Sequence, residues 1–130
     1  MPDSLELEIV TPERPLAREE VTEAQIPGKN GYMGILPGHA ALLGQLGAGL
    51  LSYVAGGRRR YLSVCGGFLE VLPGHVRVLA DAAERAEEID VERAKAALRR
   101  AQEQNAGPDP VAALAAMARA QARLAAAERK

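Results

Sequence analysis

The sequence predicts an α+β protein in which an N-terminal β-sandwich or barrel-like domain is followed by a C-terminal antiparallel hairpin of two helices. The first part of the chain, up to about residue 81, is rich in glycine, proline and β-branched residues, whereas alanine, arginine and glutamate dominate after residue 90. Hydrophobic residues alternate with a period of two in the first part and recur at helical spacing in the second. We therefore predict domains at 1–86 and 87–130.

Short apolar segments separated by glycine and proline predict the strands of the first domain. Leu5, Leu7 and Ile9 alternate with more polar neighbours, which indicates a strand with one solvated face. Further strands are predicted at 21–26, 32–36, 50–54, 61–64, 68–72 and 76–80. The segments 56–60 (GGRRR) and 73–74 (PG) are predicted as the turns of two hairpins, and the sheet is expected to end near Asp81.

Two helices are predicted at 90–105 and 109–128, separated by a glycine–proline pair. Asp90 and Asp109 are the expected N-caps, because a carboxylate accepts an otherwise unpaired N–H of the first turn. Pro110 suits the first helical position, where its missing N–H does no harm. The predicted apolar faces are Val91, Ala94, Leu98 and Ala101 on the first helix and Leu114, Met117 and Leu124 on the second.

Composition excludes several classes of function. A net charge of −1 creates no overall field that would attract nucleic acid or an anionic membrane. No segment approaches the roughly 20 apolar residues that span a bilayer, and the N-terminal residues lack the apolar core of a signal peptide. Cys65 is the single cysteine of the sequence, so neither an internal disulfide nor a multi-cysteine metal site is expected. Its side chain is predicted to be a small buried hydrophobe.

Candidate catalytic motifs are missing, whereas basic residues form one candidate binding site. No Walker A loop, nucleophile elbow or histidine pair at metal-ligand spacing occurs, so catalytic residues and a metal are not expected. Arg93 and Arg100 lie seven residues apart on one helix face. Arg119 and Arg123 lie four apart on the second helix, so a closed hairpin would gather four guanidiniums around one space.

Guanidinium groups bind phosphate oxygens in bidentate fashion, and the carboxylate of Asp90 or Glu84 could accept hydrogen bonds from a sugar or an amino group. The alternative is a solvated charged face on which Asp90 is only a cap. Spacing alone favours that alternative. The run 58–60 (RRR) could likewise bind phosphate or an acidic partner, but we interpret it as a solvated turn.

Four motifs, in order, resemble one protein family. They are GILPGHA at 34–40, GGFLEV at 66–71, VLAD at 78–81 and AERAEEIDVERA at 83–94. Together with the length of the chain, they make it similar to the epsilon subunit of bacterial F-type ATP synthase along nearly its whole length. The resemblance implies a non-catalytic rotor subunit of the central stalk that helps couple proton flow to ATP synthesis.

The resemblance also implies partners and a location. The sandwich would bind the gamma subunit and the c-ring, with Tyr32 and His39 at contact positions. Some family members have a glutamate where Tyr32 stands, so this contact is expected to differ. The extended hairpin would reach the catalytic alpha and beta subunits and inhibit ATP hydrolysis. The subunit would lie at the cytoplasmic face of the bacterial inner membrane, associated with the membrane only through the complex.

In some members of this family the compact hairpin binds ATP through an Ile/Leu-Asp-x-x-Arg-Ala motif. The corresponding residues are Ile89, Asp90, Arg93 and Ala94, and the further binding positions correspond to Glu84, Arg100, Arg119 and Arg123. Spacing and resemblance thus select the same residues, so ATP is the expected regulatory ligand, with no cofactor required. The alternatives are a structural rotor adaptor without nucleotide sensing and a stand-alone nucleotide-binding enzyme. Removing residues 88–130 would raise ATP hydrolysis only if the hairpin is a regulator.

Overall fold

The computed structural model describes residues 3–105 and 107–129, and within them the predicted α+β class is confirmed. Eight strands are followed by a short 3-10 turn at Ala86–Glu88 and two helices, α1 (Val91–Gln104) and α2 (Pro110–Ala127). The strands are β1 (Leu5–Val10), β2 (Pro15–Val21), β3 (Glu23–Gly28), β4 (Gly31–Ile35), β5 (Leu42–Gln45), β6 (Ala48–Ala55), β7 (Arg58–Leu72) and β8 (His75–Arg85).

The strands form one hydrogen-bonded sheet in the order β2-β1-β8-β7-β6-β3-β4, and β5 pairs with the second half of β7. β1 and β8 are parallel, whereas the other neighbours are antiparallel. The sheet folds over a core, so that strands far apart in this order meet. The hydroxyl of Tyr53 in β6 donates a hydrogen bond to the carboxylate of Glu19 in β2. The result is a sandwich with β2 facing β6.

The core of the sandwich is built from aliphatic side chains that alternate inward along the strands. Leu5, Leu7 and Ile9 are fully buried, as their alternation predicts. Inward-facing leucine, isoleucine and valine residues from the other strands complete one cluster, which also contains Tyr53. Burying such side chains stabilises the fold by about 1.5–3 kcal/mol each relative to leaving them exposed. This rigid core holds the last strand, from which the hairpin begins.

Several strand predictions were wrong in extent. The run 58–60 is not a turn, because Arg58, Arg59 and Arg60 begin β7 and pair with residues 53–55 of β6. Gly56 and Gly57, both with positive φ, make the turn by themselves. β7 then continues through Gly66 and Gly67 to Leu72, and β8 extends past Asp81 to Arg85. The predicted strand at 21–26 is divided, because Val21 ends β2 and Glu23 begins β3.

The helix caps are confirmed, but the apolar face of α2 is only partly the predicted one, since Met117 and Leu124 are partly buried and Leu114 is exposed. The carboxylate of Asp90 accepts the N–H of Arg93 at 3.1 Å, and that of Asp109 accepts the N–H of Ala112 at 3.0 Å. Leu114 is 55% exposed, whereas every buried residue of α2 is an alanine. Small side chains let a helix approach its neighbours closely, so the alanine face packs and the larger Leu114 remains outside.

Candidate functional site

The end of α2 is packed onto the junction between the sandwich and the hairpin. Ala126 and Ala127 are buried against Ala86 and Ile89, in a cluster separate from the sandwich core. Three partly buried residues complete this cluster, namely Leu50, Tyr61 and Val91. α2 also packs along β6 and β7. The hairpin is therefore in a compact arrangement, folded back against the sandwich.

A salt bridge fixes the junction from the other side. The guanidinium of Arg14, in the loop between β1 and β2, binds the carboxylate of Glu88 with two N–O distances of 2.9 and 2.8 Å. Glu88 also accepts the backbone N–H of Arg85 at 3.1 Å. The hydrogen bond from Arg14 lowers the pKa of Glu88 from 4.5 to about 2, although desolvation opposes the shift. This carboxylate therefore holds the turn between β8 and α1 in place while it is ionised.

We expect this pair to make the stability of the fold depend on pH. Because the folded state lowers the pKa of Glu88 to about 2, its contribution is present above pH ~4.5 and is lost as the pH falls toward 2. Glu88→Gln should therefore flatten the loss of thermal stability over this interval, measured as the unfolding temperature in half-unit steps of pH. Glu87→Gln is the matched control, since Glu87 forms no ion pair within the described residues. Equal slopes for the two variants would contradict the expectation.

A cavity of about 340 Å³ lies between the two helices and the end of β8. Four alanines form its apolar walls, and four charged or polar side chains line the rest, together with Glu84 from β8. The lining residues are Ala97, Arg100, Ala101 and Gln104 of α1, Ala116, Arg119, Ala120 and Arg123 of α2, and Glu84. The small walls leave room for a ligand, and the guanidinium groups give the cavity an excess of positive charge.

One ion pair links the cavity to the sandwich. The Nε of Arg123 lies 2.6 Å from an oxygen of Glu84, and a second contact measures 3.5 Å. Both side chains are partly buried, so this pair is screened less than a surface pair. Arg100 and Arg119 form no ion pair with any carboxylate of residues 3–105 and 107–129. Two uncompensated guanidiniums therefore remain available to an anion.

Arg119 also lines a smaller cavity of about 180 Å³, which contains Cys65 and Asp81. Cys65 is partly buried, whereas a buried side chain was predicted. Burial raises the pKa of its thiol, and the nearby Arg119 partly offsets this effect. The thiol is therefore mainly protonated at neutral pH and contributes packing between α2 and the sheet.

Four of the predicted nucleotide-binding residues come together in the structure, and four do not line the cavity. Glu84, Arg100, Arg119 and Arg123 surround it. Arg93 is exposed on the same face of α1, but seven residues separate it from Arg100, which is about 10 Å along a helix. Shared helical phase therefore does not place Arg93 in the lining of this cavity, and its part in binding a nucleotide stays a prediction.

The remaining motif residues have structural roles here. The carboxylate of Asp90 caps α1, which leaves Glu84 as the acidic group of the cavity. Ile89 is buried in the junction cluster, and Ala94 is fully buried. Within the part of the chain that the structure describes, these two are packing residues of the compact arrangement.

The two predicted partner-contact residues lie away from the hairpin. Tyr32 is 63% exposed in β4, where its hydroxyl accepts the N–H of Leu50 at 3.0 Å. It lines an open depression of about 800 Å³ together with Met33, Leu43 and Phe68. His39 follows β4 and is partly buried, with Nδ1 lying 2.7 Å from the carbonyl of Ala40. Tyr32 and His39 therefore do not belong to one depression.

An exposed apolar surface on the sandwich was not predicted from the sequence. Tyr32, Leu43 and Phe68 line one depression, and Phe68 and Leu79 line a neighbouring one; all four side chains are exposed. The strand alternation contained the signal: Leu69 and Val71 face the core, so Phe68 must face outward, and Leu79 lies between the buried Val78 and Ala80. Exposed apolar patches of this kind mark protein–protein contact surfaces.

The fold and the site define a class of protein: a β-sandwich whose C-terminal helical hairpin folds back over a basic cavity. The described residues that line this cavity form no catalytic group. A family model described as the ATP synthase Delta/Epsilon chain beta-sandwich domain matches residues 4–86. The ATP synthase epsilon chain of Solibacter usitatus is 63% identical and covers the whole of both chains. That of Koribacter versatilis is 51% identical over 84% of this chain and 78% of its own.

A solved structure is similar over nearly the whole chain. A chain of the Euglena gracilis mitochondrial ATP synthase, in an assembly of OSCP, F1 and c-ring, superimposes with a TM-score of 0.85 at 29% identity. The match covers 98% of this chain and 83% of the other. The chain belongs to the ATP synthase epsilon chain family, and it is a non-catalytic subunit of the central stalk.

Two further features of the described residues bear on membranes and metals. None of the helices is both long and apolar enough to cross a membrane. The side chains of residues 3–105 and 107–129 form no group of three or more histidine, cysteine, aspartate or glutamate residues suited to a metal ion.

Proposed function

We propose that this epsilon subunit is a nucleotide-sensitive regulator of ATP hydrolysis, with its functions divided between residues 1–86 and 87–130. The observation on which this proposal depends is the closed hairpin, whose cavity combines three arginines with Glu84. The compact hairpin binds ATP there. When ATP falls, the hairpin opens, extends toward the alpha and beta subunits and inhibits hydrolysis.

The charge of the cavity supports a polyphosphate ligand. Among the described residues, Arg100 and Arg119 form no ion pair with a carboxylate, and Arg123 is already bound to Glu84. Guanidinium groups that share a small space repel one another, and this repulsion favours the open hairpin. A triphosphate supplies the missing negative charge and accepts bidentate hydrogen bonds from the guanidinium forks. Binding therefore favours the closed hairpin.

The geometry supports a ligand that is longer than the phosphate chain. A volume of about 340 Å³ lies at the lower end of the range of ligand pockets, roughly 300–1,000 Å³. Arg93 and Asp90 lie further along the same face of α1, toward its N-terminus. We propose that the nucleoside part of ATP extends in this direction, so that the complete motif contributes although only part of it lines the cavity.

The energetics suit a switch. A ligand that binds only the closed state stabilises it by about 1.4 kcal/mol when its concentration is nine times Kd. The hairpin is held to the junction mainly by small side chains, with Ala126 and Ala127 at the centre. Because small side chains bury little apolar area, this docking contact is weak. A ligand of modest affinity therefore changes the population of the closed state severalfold.

The remaining partners are proposed for the sandwich. Its exposed apolar surface, which includes Tyr32 and Phe68, binds the gamma subunit, and the region of Tyr32 and His39 contacts the c-ring. The complex holds the subunit at the cytoplasmic face of the bacterial inner membrane. If the hairpin were only structural, the subunit would remain a rotor adaptor, and this alternative predicts no response to nucleotide.

Titration of the isolated chain with ATP tests the proposal. We expect saturable binding in isothermal titration calorimetry, and Arg119→Gln should weaken it at least about tenfold because one charge-assisted hydrogen-bond donor is lost. Arg99→Gln is the matched control, since Arg99 is exposed on α1 outside the cavity. The absence of binding at millimolar ATP, or equal weakening by the two substitutions, would exclude the cavity as the nucleotide site.

A further inference from the structure

A second basic recess lies at the junction, lined in part by Arg85, Ala86 and Glu87. Its volume is about 420 Å³, and it shares no lining residue with the ATP cavity. Six arginines line it: Arg18, Arg58, Arg59, Arg60, Arg85 and Arg129. They come from β2, from the start of β7, from the end of β8 and from the residues after α2. The recess therefore joins the sandwich to the end of the hairpin.

The acidic residues of the recess do not compensate this charge. Its only carboxylates among the described residues are Glu19 and Glu87. Glu19 accepts a hydrogen bond from the hydroxyl of Tyr53, and Glu87 is exposed to solvent. The pKa of Tyr53 is raised, first by burial and then by this hydrogen bond, so its hydroxyl remains a donor.

Three of the six arginines already form hydrogen bonds or ion pairs with other residues, and the other three form no ion pair within the described residues. Arg59 donates to Ser52 at 2.9 Å and pairs with Glu23. Arg85 donates to the carbonyl of Leu16 at 2.6 Å, and Arg18 lies 3.4 Å from Glu6. Three others, Arg58, Arg60 and Arg129, form no ion pair with a carboxylate of residues 3–105 and 107–129.

Arg129 is placed over the recess by an aromatic ring. Its guanidinium carbon lies 5.7 Å from the centroid of the Tyr61 ring, a cation–π arrangement that orients the guanidinium without neutralising it. Tyr61 lies in β7 directly after Arg60. Arg129 therefore lines the same recess as Arg58 and Arg60 of β7, and an anion bound in the recess would reduce the repulsion among these guanidiniums.

We propose that this recess binds a small phosphoryl anion of the pyrophosphate or polyphosphate class, and that the bound anion holds the end of α2 against the sandwich. Planar guanidinium forks match the oxygens of such an anion, and the recessed shape suits a small soluble ligand rather than a flat surface. The anion contacts the hairpin only when the hairpin is docked. Its binding therefore favours the compact arrangement, independently of the ATP cavity.

The test is a titration of the full chain with pyrophosphate, followed by two-dimensional ¹⁵N NMR in the Arg119→Gln background, so that the ATP cavity contributes little. We expect saturable shifts at Arg60, Tyr61 and Arg129. Arg58→Gln with Arg60→Gln should weaken binding at least about tenfold, as expected for the loss of charge-assisted hydrogen bonds. Arg129→Gln, at the chain's exposed end, should also weaken it without disturbing the sandwich.

The control removes the same charge elsewhere. Lys95→Gln with Arg99→Gln eliminates two exposed cations of α1 that line neither cavity. Equal weakening by this pair, shifts confined to residues of α1, or no saturation at millimolar pyrophosphate would overturn the proposal. Sedimentation with phosphatidylglycerol vesicles in the absence of pyrophosphate binding would also overturn it. Because the two cavities share no residues, failure here leaves the ATP titration unaffected.

Discussion

Ala126→Glu should release the hairpin from the sandwich while the sandwich stays folded. Ala126 is 0% exposed in the junction cluster, whose members are all hydrophobic. Burying a charged carboxylate among these apolar side chains costs several kcal/mol. Because the hairpin is held mainly by small side chains, undocking relieves this cost more readily than unfolding of the sandwich. We expect tryptic cleavage at the helix arginines to accelerate and the affinity for ATP to fall at least about tenfold.

The matched control is Ala115→Glu, which places the same charge on an exposed position of α2. It should leave both cleavage and ATP binding near those of the unchanged chain. In the assembled ATP synthase, the regulator hypothesis predicts slower ATP hydrolysis with Ala126→Glu than with Ala115→Glu. The adaptor alternative predicts equal hydrolysis. Equal proteolysis of the two variants would contradict the compact docking of α2.

Gly67→Val should destabilise the sandwich itself. Gly67 has a φ of 112°, and a Cβ built there would lie 2.0 Å from the carbonyl oxygen of Leu79 in β8. Both the backbone conformation and the contact with backbone atoms exclude a side chain, so β7 and β8 must separate locally. A loss on the order of 3–5 kcal/mol is expected. The unfolding temperature should fall by at least about 10 °C.

Gly34→Ala is the control for this experiment. Gly34 lies in β4, its φ is not positive, and no atom lies within 4 Å of a Cβ built at this position. Its thermal unfolding should stay within a few degrees of that of the unchanged chain. A Gly67→Val variant as stable as Gly34→Ala would show that the two strands do not approach as closely as described.

The parts of the fold that sequence patterns predicted are those with strong local signals. The caps at Asp90 and Asp109 depend on residues within one helical turn, and β1 depends on simple alternation. β2 gave no such signal, because only Leu16 and Val21 of its seven residues are buried. β5 has four residues and pairs only with β7. Short or mostly exposed strands obtain their stability from partners that a local pattern does not reveal.

The candidate site was predictable by residue type but not by geometry. Helical spacing indicates which arginines share a face, and this grouped Arg119 with Arg123 correctly. Spacing does not tell how far along the helix axis a cavity extends, so it could not show that Arg93 lies outside the lining. The pair of Glu84 with Arg123 joins residues 39 positions apart, which only tertiary packing reveals. The same is true of Arg129 above Tyr61.

Amide hydrogen exchange of the full chain with and without ATP tests the central claim, that nucleotide closes the hairpin. The account predicts slower exchange throughout α1 and α2 at millimolar ATP, little change in β1–β8, and loss of this slowing in Arg119→Gln. Identical exchange of both helices at every ATP concentration, or equal slowing in Arg119→Gln, would contradict it.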